Sequence, residues 1–219
     1  MSRILQAGVI VACCLILLPG CARKSVESAQ DRSEGALTGC VAVLPAATTM
    51  AGGSVPLFMP ADKSARHALQ VMNEILSKEL GGRENIRFSG LERVSSLNLT
   101  GGENQLDIAR MVGKQMQCSM ALETIVKRFD ERVGTRYSVE SPASVAFEMR
   151  LIGLETGSIL WSAKFDETQK SVMENILDFG KARTRGFVWI TAEELMREGV
   201  RSKLAAGPLV AGGGGDTAR

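Results

Sequence analysis

Apolar positions along this chain change their spacing from stretch to stretch, and each spacing predicts an element. Residues 4–18 form one apolar run behind Arg3, and the chain turns strongly polar after Cys21. Cys40-Val-Ala-Val-Leu-Pro45 is a short apolar run closed by proline, the pattern of a buried strand that opens into a loop. That loop, Ala46 to Asp62, contains Gly52-Gly53, Pro56 and Pro60 and is long for a connection inside a domain. From Ser64 to Leu80, Ala68, Leu69, Met72, Ile75, Leu76 and Leu80 recur at helical spacing, Glu74 and Lys78 stand four residues apart, and Gly81-Gly82 ends the helix. Asn85 to Ser89 reads as a second short strand, and Glu103 to Met116 as a helix with Leu106, Ala109, Val112 and Met116 on one face.

The period then shortens. Met120 to Phe129 and Ser144 to Ile152 read as long strands of the antiparallel type, with Val145, Phe147, Met149 and Leu151 on one face and Ala146, Glu148 and Arg150 on the other. Leu154-Glu-Thr-Gly157 turns the second strand back into Ser158 to Phe165. Trp161 alternates in phase with Ile159 and Phe165, which points to core packing. Two capping boxes follow, Ser171 with Glu174 and Thr191 with Glu194, each opening a helix. The expected class is α/β: parallel βα units, then an antiparallel hairpin, flanked by helices.

The ends divide the chain further. A positive start, an apolar core too short to span a bilayer comfortably, and small residues before a cut point describe an export signal over residues 1–20. Leu18-Pro19-Gly20-Cys21 resembles a bacterial lipobox, with Pro19 in place of its usual small residue. That resemblance implies that Cys21 becomes the first residue and is acylated, a stable anchor since several chains act together. By the same family's sorting rule, Ala22 in the position of a retaining aspartate implies the outer membrane, with the domain facing the periplasm. Residues 21–38 are polar and poor in large apolar groups, a tether with an r.m.s. span of roughly 20–25 Å. Residues 39–205 have the size of one domain, and residues 206–219 read as a disordered glycine-rich tail.

Charge and cysteine content narrow the chemistry. The formal net charge of +2 and the lack of a basic tract interleaved with aromatics offer nothing for nucleic acid. Of five cysteines, Cys13 and Cys14 leave with the signal and Cys21 takes lipid. Cys40 and Cys118 remain, in an oxidising compartment; one bridge can form between them, the alternative being two buried thiols at strand starts. With one histidine and no CxxC or HExxH, a metal site is not expected, and no motif calls for a cofactor.

Three patterns together look familiar: Val41-Ala-Val-Leu-Pro45, Ile108-Ala-Arg-Met-Val-Gly-Lys114 and Thr156-Gly-Ser-Ile-Leu-Trp161. Over about Gly39 to Val200 they resemble a superfamily of periplasmic lipoprotein domains. It comprises the curli-secretion (CsgG-like) lipoproteins, the penicillin-binding-protein activator (LpoB-like) lipoproteins and the amino-terminal domain of the TolB translocation protein. A recurrent Gly-Ala-Asp-like approach to the long strand is replaced here by Gln117-Cys118-Ser119-Met120. The resemblance implies a three-layer fold with a mixed sheet and a non-catalytic binding or assembly role, with an envelope protein as partner and a homo-oligomer as an alternative assembly. Phe129 to Ser141 is too charged and too short for a membrane-crossing hairpin pair, which argues against a pore subunit.

Candidate chemistry is sparse. His67 lies near the start of the first long helix and reads as a surface residue, and Asp130-Glu131 and Asp166-Glu167 read as solvated strand ends. A peptidoglycan-acting enzyme would place its site in the Ala46–Asp62 loop, where Thr48, Thr49, Ser54 and Asp62 come without a base or metal ligand. Trp189, Lys181, Arg183 and Arg185 are the candidate partner surface, an aromatic anchor beside cations suited to headgroups or glycan phosphates.

Overall fold

Hydrogen bonding of one short buried strand organises the domain. The computed structural model describes residues 39–49, 56–97, 103–135, 138–169 and 189–211, all within the unit Gly35–Arg219. Strand β1, Val41–Val43, is buried throughout. Thr48–Thr49 (β2) and Pro56–Leu57 (β3) form a small antiparallel pair inside the long loop. Asp62 then caps helix α1, Lys63–Leu80, accepting from the Ala65 N–H at 2.7 Å. In this helix Glu74 takes Gln70 as its hydrogen-bonding neighbour at 3.1 Å, in place of the expected Lys78. Strand β4, Ile86–Phe88, follows, then a short helix absent from the sequence reading, α2, Leu91–Ser95. Helix α3 is Gln105–Met116; it buries Ile108 along with Ala109, Val112 and Met116, while Leu106, expected on that face, is half-exposed.

The second half is a meander. Strand β5, Met120–Asp130, leads through the small pair β6 (Val133–Gly134) and β7 (Val139–Ser141) to β8, Ser144–Gly153, and β9, Ile159–Thr168. The main sheet runs β4-β1-β5-β8-β9, with β1 parallel to both neighbours and β5, β8 and β9 antiparallel. This is the mixed α/β sheet expected from the change in period. Gly157 takes φ +73° in the β8–β9 turn, the left-handed position a side chain resists. Helix α4, Ala192–Ala205, opens with the Thr191–Glu194 capping box.

Two apolar layers sandwich the sheet. One face carries Val41, Val43, Leu122, Val126, Phe147, Met149 and Leu151 against α1 and α4; the other carries Ala42, Leu44 and Ala121 against α2 and α3. Phe165 stacks on Phe147 at 5.2 Å, and Trp161 packs on the same layer. Ile159 does not share that face, although it stands two residues from Trp161. A register shift pairs Leu151 with Trp161 but Ile152 with Ile159, so the bulge turns Ile159 outward, where it is 57% exposed.

The ordered chain continues past residue 205. Pro208–Ala211 forms a short helix, α5; Leu209 is buried in the core and its carbonyl accepts from Arg83 Nη1 at 3.0 Å. Gly207 sits so close to Trp161 that an added Cβ would lie 2.8 Å from the indole. The glycine-rich stretch 212–219, the segments 1–20 and 21–38, and the Ser171–Glu174 box lie outside the described residues.

Candidate functional site

The chain enters the domain at Gly39, whose φ of +149° and closeness to Ser119 leave no room for a side chain: a Cβ there would meet Ser119 Oγ at 2.7 Å. At the same point α3 ends on Gln117, a non-glycine residue at φ 54° whose N–H returns to the Gly113 and Lys114 carbonyls. That left-handed turn points the chain back toward β1, and Cys118 and Cys40 are disulfide-bonded with their Cα atoms 4.6 Å apart. The bond therefore ties the residue just before β1 to the approach of the sheet's central strand, across a separation of 78 residues.

On the sheet face shared with α3, a row of charge crosses β5, β8 and β9. Register places Glu123 opposite Arg150, and Ile125 opposite Glu148, which faces Lys164. Arg150 Nη2 donates to Gln105 Oε1 at 2.6 Å and lies 3.0 Å from Glu123 Oε2. The second contact is an ion pair by distance, but the N–H is aimed at Gln105, so Glu123 Oε2 accepts no hydrogen bond from it; Gln105 Nε2 is likewise buried without one. Burial raises the Glu123 carboxyl above its ordinary range, with Arg150 opposing and Glu148 adding to the shift. Glu148 moves the other way, lowered first by the hydrogen bond from Lys127 at 2.7 Å. Arg128 pairs with Asp166 on the same face. These carboxylates are occupied by cations of their own sheet, an arrangement that fixes the strands without converging on a substrate.

Of the expected partner residues, Trp189 alone lies among the described residues. Trp189 is half-buried, and its carbonyl accepts from Arg132 Nη1 at 2.7 Å. Glu131, read as a solvated strand end, is exposed and in addition accepts from the Ala192 N–H at the start of α4, with both oxygens at 3.2 Å. Glu131 and Arg132 were illegible as a clamp because their targets lie some 60 positions away. Lys181, Arg183 and Arg185 fall outside the described residues, as does Cys21. Of the loop polar groups, Asp62 serves as the α1 cap and Thr48 lies in β2. His67 is exposed and meets Phe129 edge-on at 5.9 Å. Among the described residues no group of three or more His, Cys, Asp or Glu side chains is placed to hold a metal ion, and no helix is long and apolar enough to cross a membrane.

The chain matches no protein-family model and no curated protein. It is similar to several solved structures at low identity. The PelC dodecamer from Paraburkholderia phytofirmans aligns at 14% identity over 78% of this chain and 86% of that chain, with a TM-score of 0.43. The LpoB C-terminal domain from Escherichia coli aligns at 15% identity over 60% of this chain and 84% of that chain, with a TM-score of 0.37. Lipoprotein GNA1162 from Neisseria meningitidis aligns at 14% identity over 66% of this chain and 94% of that chain, with a TM-score of 0.36.

Proposed function

We propose that this chain is a lipid-anchored periplasmic protein of the outer membrane, acting as a non-catalytic binding or assembly component of the bacterial envelope. The observation that carries the reading is the sequence Leu18-Pro19-Gly20-Cys21 behind an apolar run of export-signal length. The contact between Cys40 and Cys118 supports it, because a structural disulfide persists in an oxidising compartment and is rare in the cytosol. Asp62 of the Ala46–Asp62 loop serves as a helix cap and the Glu123 and Glu148 carboxylates of the sheet lie in ion pairs with Arg150 and Lys127, which favours a binding role over an enzymatic one.

The test is fractionation followed by crosslinking in cells. Cys21→Ala moves the protein from the membrane fraction to the soluble or unprocessed pool; a processed product that stays on the membrane refutes the anchor. Crosslinking the anchored form captures a reproducible envelope protein. Ladders of the chain alone would assign it to a homo-oligomeric assembly instead.

A further inference from the structure

The domain is electrically polarised along its helices, and its positive end is the one where residue 39 joins the sheet. Both α1 and α3 run antiparallel to β1, since each ends where a parallel strand begins. Helix α4 has the same sense: it starts at Glu131, just past the far end of β5, and leads into α5 beside Arg83, just before β4. Their last turns carry Lys78, Lys114 and Lys203. Arg83, Arg87 and Arg110 join them at this end, held by the carbonyls of Leu209, Met116 and Leu154. Opposing these are Glu84 and Glu155 in the adjoining turns, Glu79, which is paired with Arg201, and three helix C-termini worth about half a negative charge each. The other end holds the acids of the helix starts, Asp62, Glu92, Asp107, Glu193 and Glu194, with the cations Lys63 and Arg93 among them. An 18-residue helix separates the two ends by about 27 Å, more than two Debye lengths at physiological salt, so each end presents its own field.

Parallel helices make this happen. Each helix prefers acids at its start and bases at its end, and in antiparallel bundles those preferences cancel; here they add.

We infer that this basic end is a docking face for an anionic lipid surface, and that it holds the domain with its acidic end away from the membrane. The inference rests on the lipid-anchor reading, because that reading brings the Gly39 end within tether length of a bilayer. Lys78, Arg87, Arg110 and Lys114 are exposed there. Each basic side chain near such a surface is worth about fivefold in partitioning.

The probe is the mature chain from residue 21 with Cys21→Ser, which carries no lipid, sedimented with phosphatidylglycerol-rich or pure phosphatidylcholine vesicles at low and physiological salt. Binding to the anionic vesicles, weakening with salt, is expected. Lys78→Gln with Lys114→Gln lowers it more than tenfold. Lys63→Gln with Arg93→Gln, the same charge change at the opposite end, alters it less than twofold. Equal loss in both pairs, equal binding to phosphatidylcholine, or no binding to either vesicle overturns the inference. Failure of the anchor reading has a separate signature, salt extraction of the wild-type protein from cell membranes.

Discussion

Glu123 and Arg150 show how one residue's environment governs its neighbours. The Glu123 carboxyl is buried and titrates above its unfolded value, so the native state holds its proton to higher pH than the unfolded chain does. Its contribution to stability is therefore largest at low pH and falls as pH rises through that window. Glu148 has the opposite sign: its lowered carboxyl contributes stability above the ordinary carboxylate range that is lost as pH falls. Arg150 is the nearest cation to Glu123. Removing it leaves a buried carboxylate without a counter-charge, which costs on the order of 3 kcal/mol. Arg150→Ala is accordingly expected to lower the urea-unfolding free energy by about that amount at pH 7 and by less as pH falls through the carboxylate range, since losing Arg150 removes the charge that opposes the upward shift of Glu123. A penalty independent of pH would show that Arg150 acts through Gln105 and packing alone.

At the scale of elements, α4 crosses the sheet at Gly199, where a Cβ would sit 2.9 Å from the Phe165 ring. Phe165 is stacked on the fully buried Phe147, so the ring has little room to retreat. Alanine is the better helix former by about 1 kcal/mol, and overpacking costs about 1–3 kcal/mol. Packing wins, and Gly199→Ala is expected to be destabilising by about 1 kcal/mol in chemical denaturation; a stabilised variant would mean that helix and sheet separate easily. The bulge at Leu151 and Ile152 belongs to the same scale. It turns Ile159 off the core face that regular alternation leaves to Trp161 and Phe165, and Gly207 closes over the Trp161 indole.

Across the whole molecule, the Cys40–Cys118 bond ties the point where residues 21–38 meet the domain to the central strand. Closing a loop of 78 residues removes unfolded-state entropy worth about 4 kcal/mol. Cys40→Ser with Cys118→Ser is expected to lower Tm by about 10 °C, at 2–4 °C per kcal/mol for a domain of this size. Reducing agent should act on the wild-type protein in the same direction; no response to either treatment would show that the two sulfurs are not bonded in solution.

Much of this was determined by sequence alone. Periodicity located α1, α3 and the long strands because amphipathic spacing is a local consequence of having one wet face and one dry face. The Thr191–Glu194 box and the Gly157 turn were legible for the same reason, since the groups they satisfy lie within a few residues. Tertiary structure decided the rest. Leu106 and Ile108 exchanged places on α3 because packing against Ala42, Leu44 and Leu154 defines its buried face. Leu209 packs into the core with its carbonyl held by Arg83, 126 positions away, and Glu131 became a cap because α4 begins beside β5. The Glu123–Arg150–Gln105 cluster draws on two strands and a helix, and the polarity of the domain depends on three helices sharing one direction. No residue's neighbours in the chain report where distant elements will lie, so every property that needs two elements to meet had to await the fold.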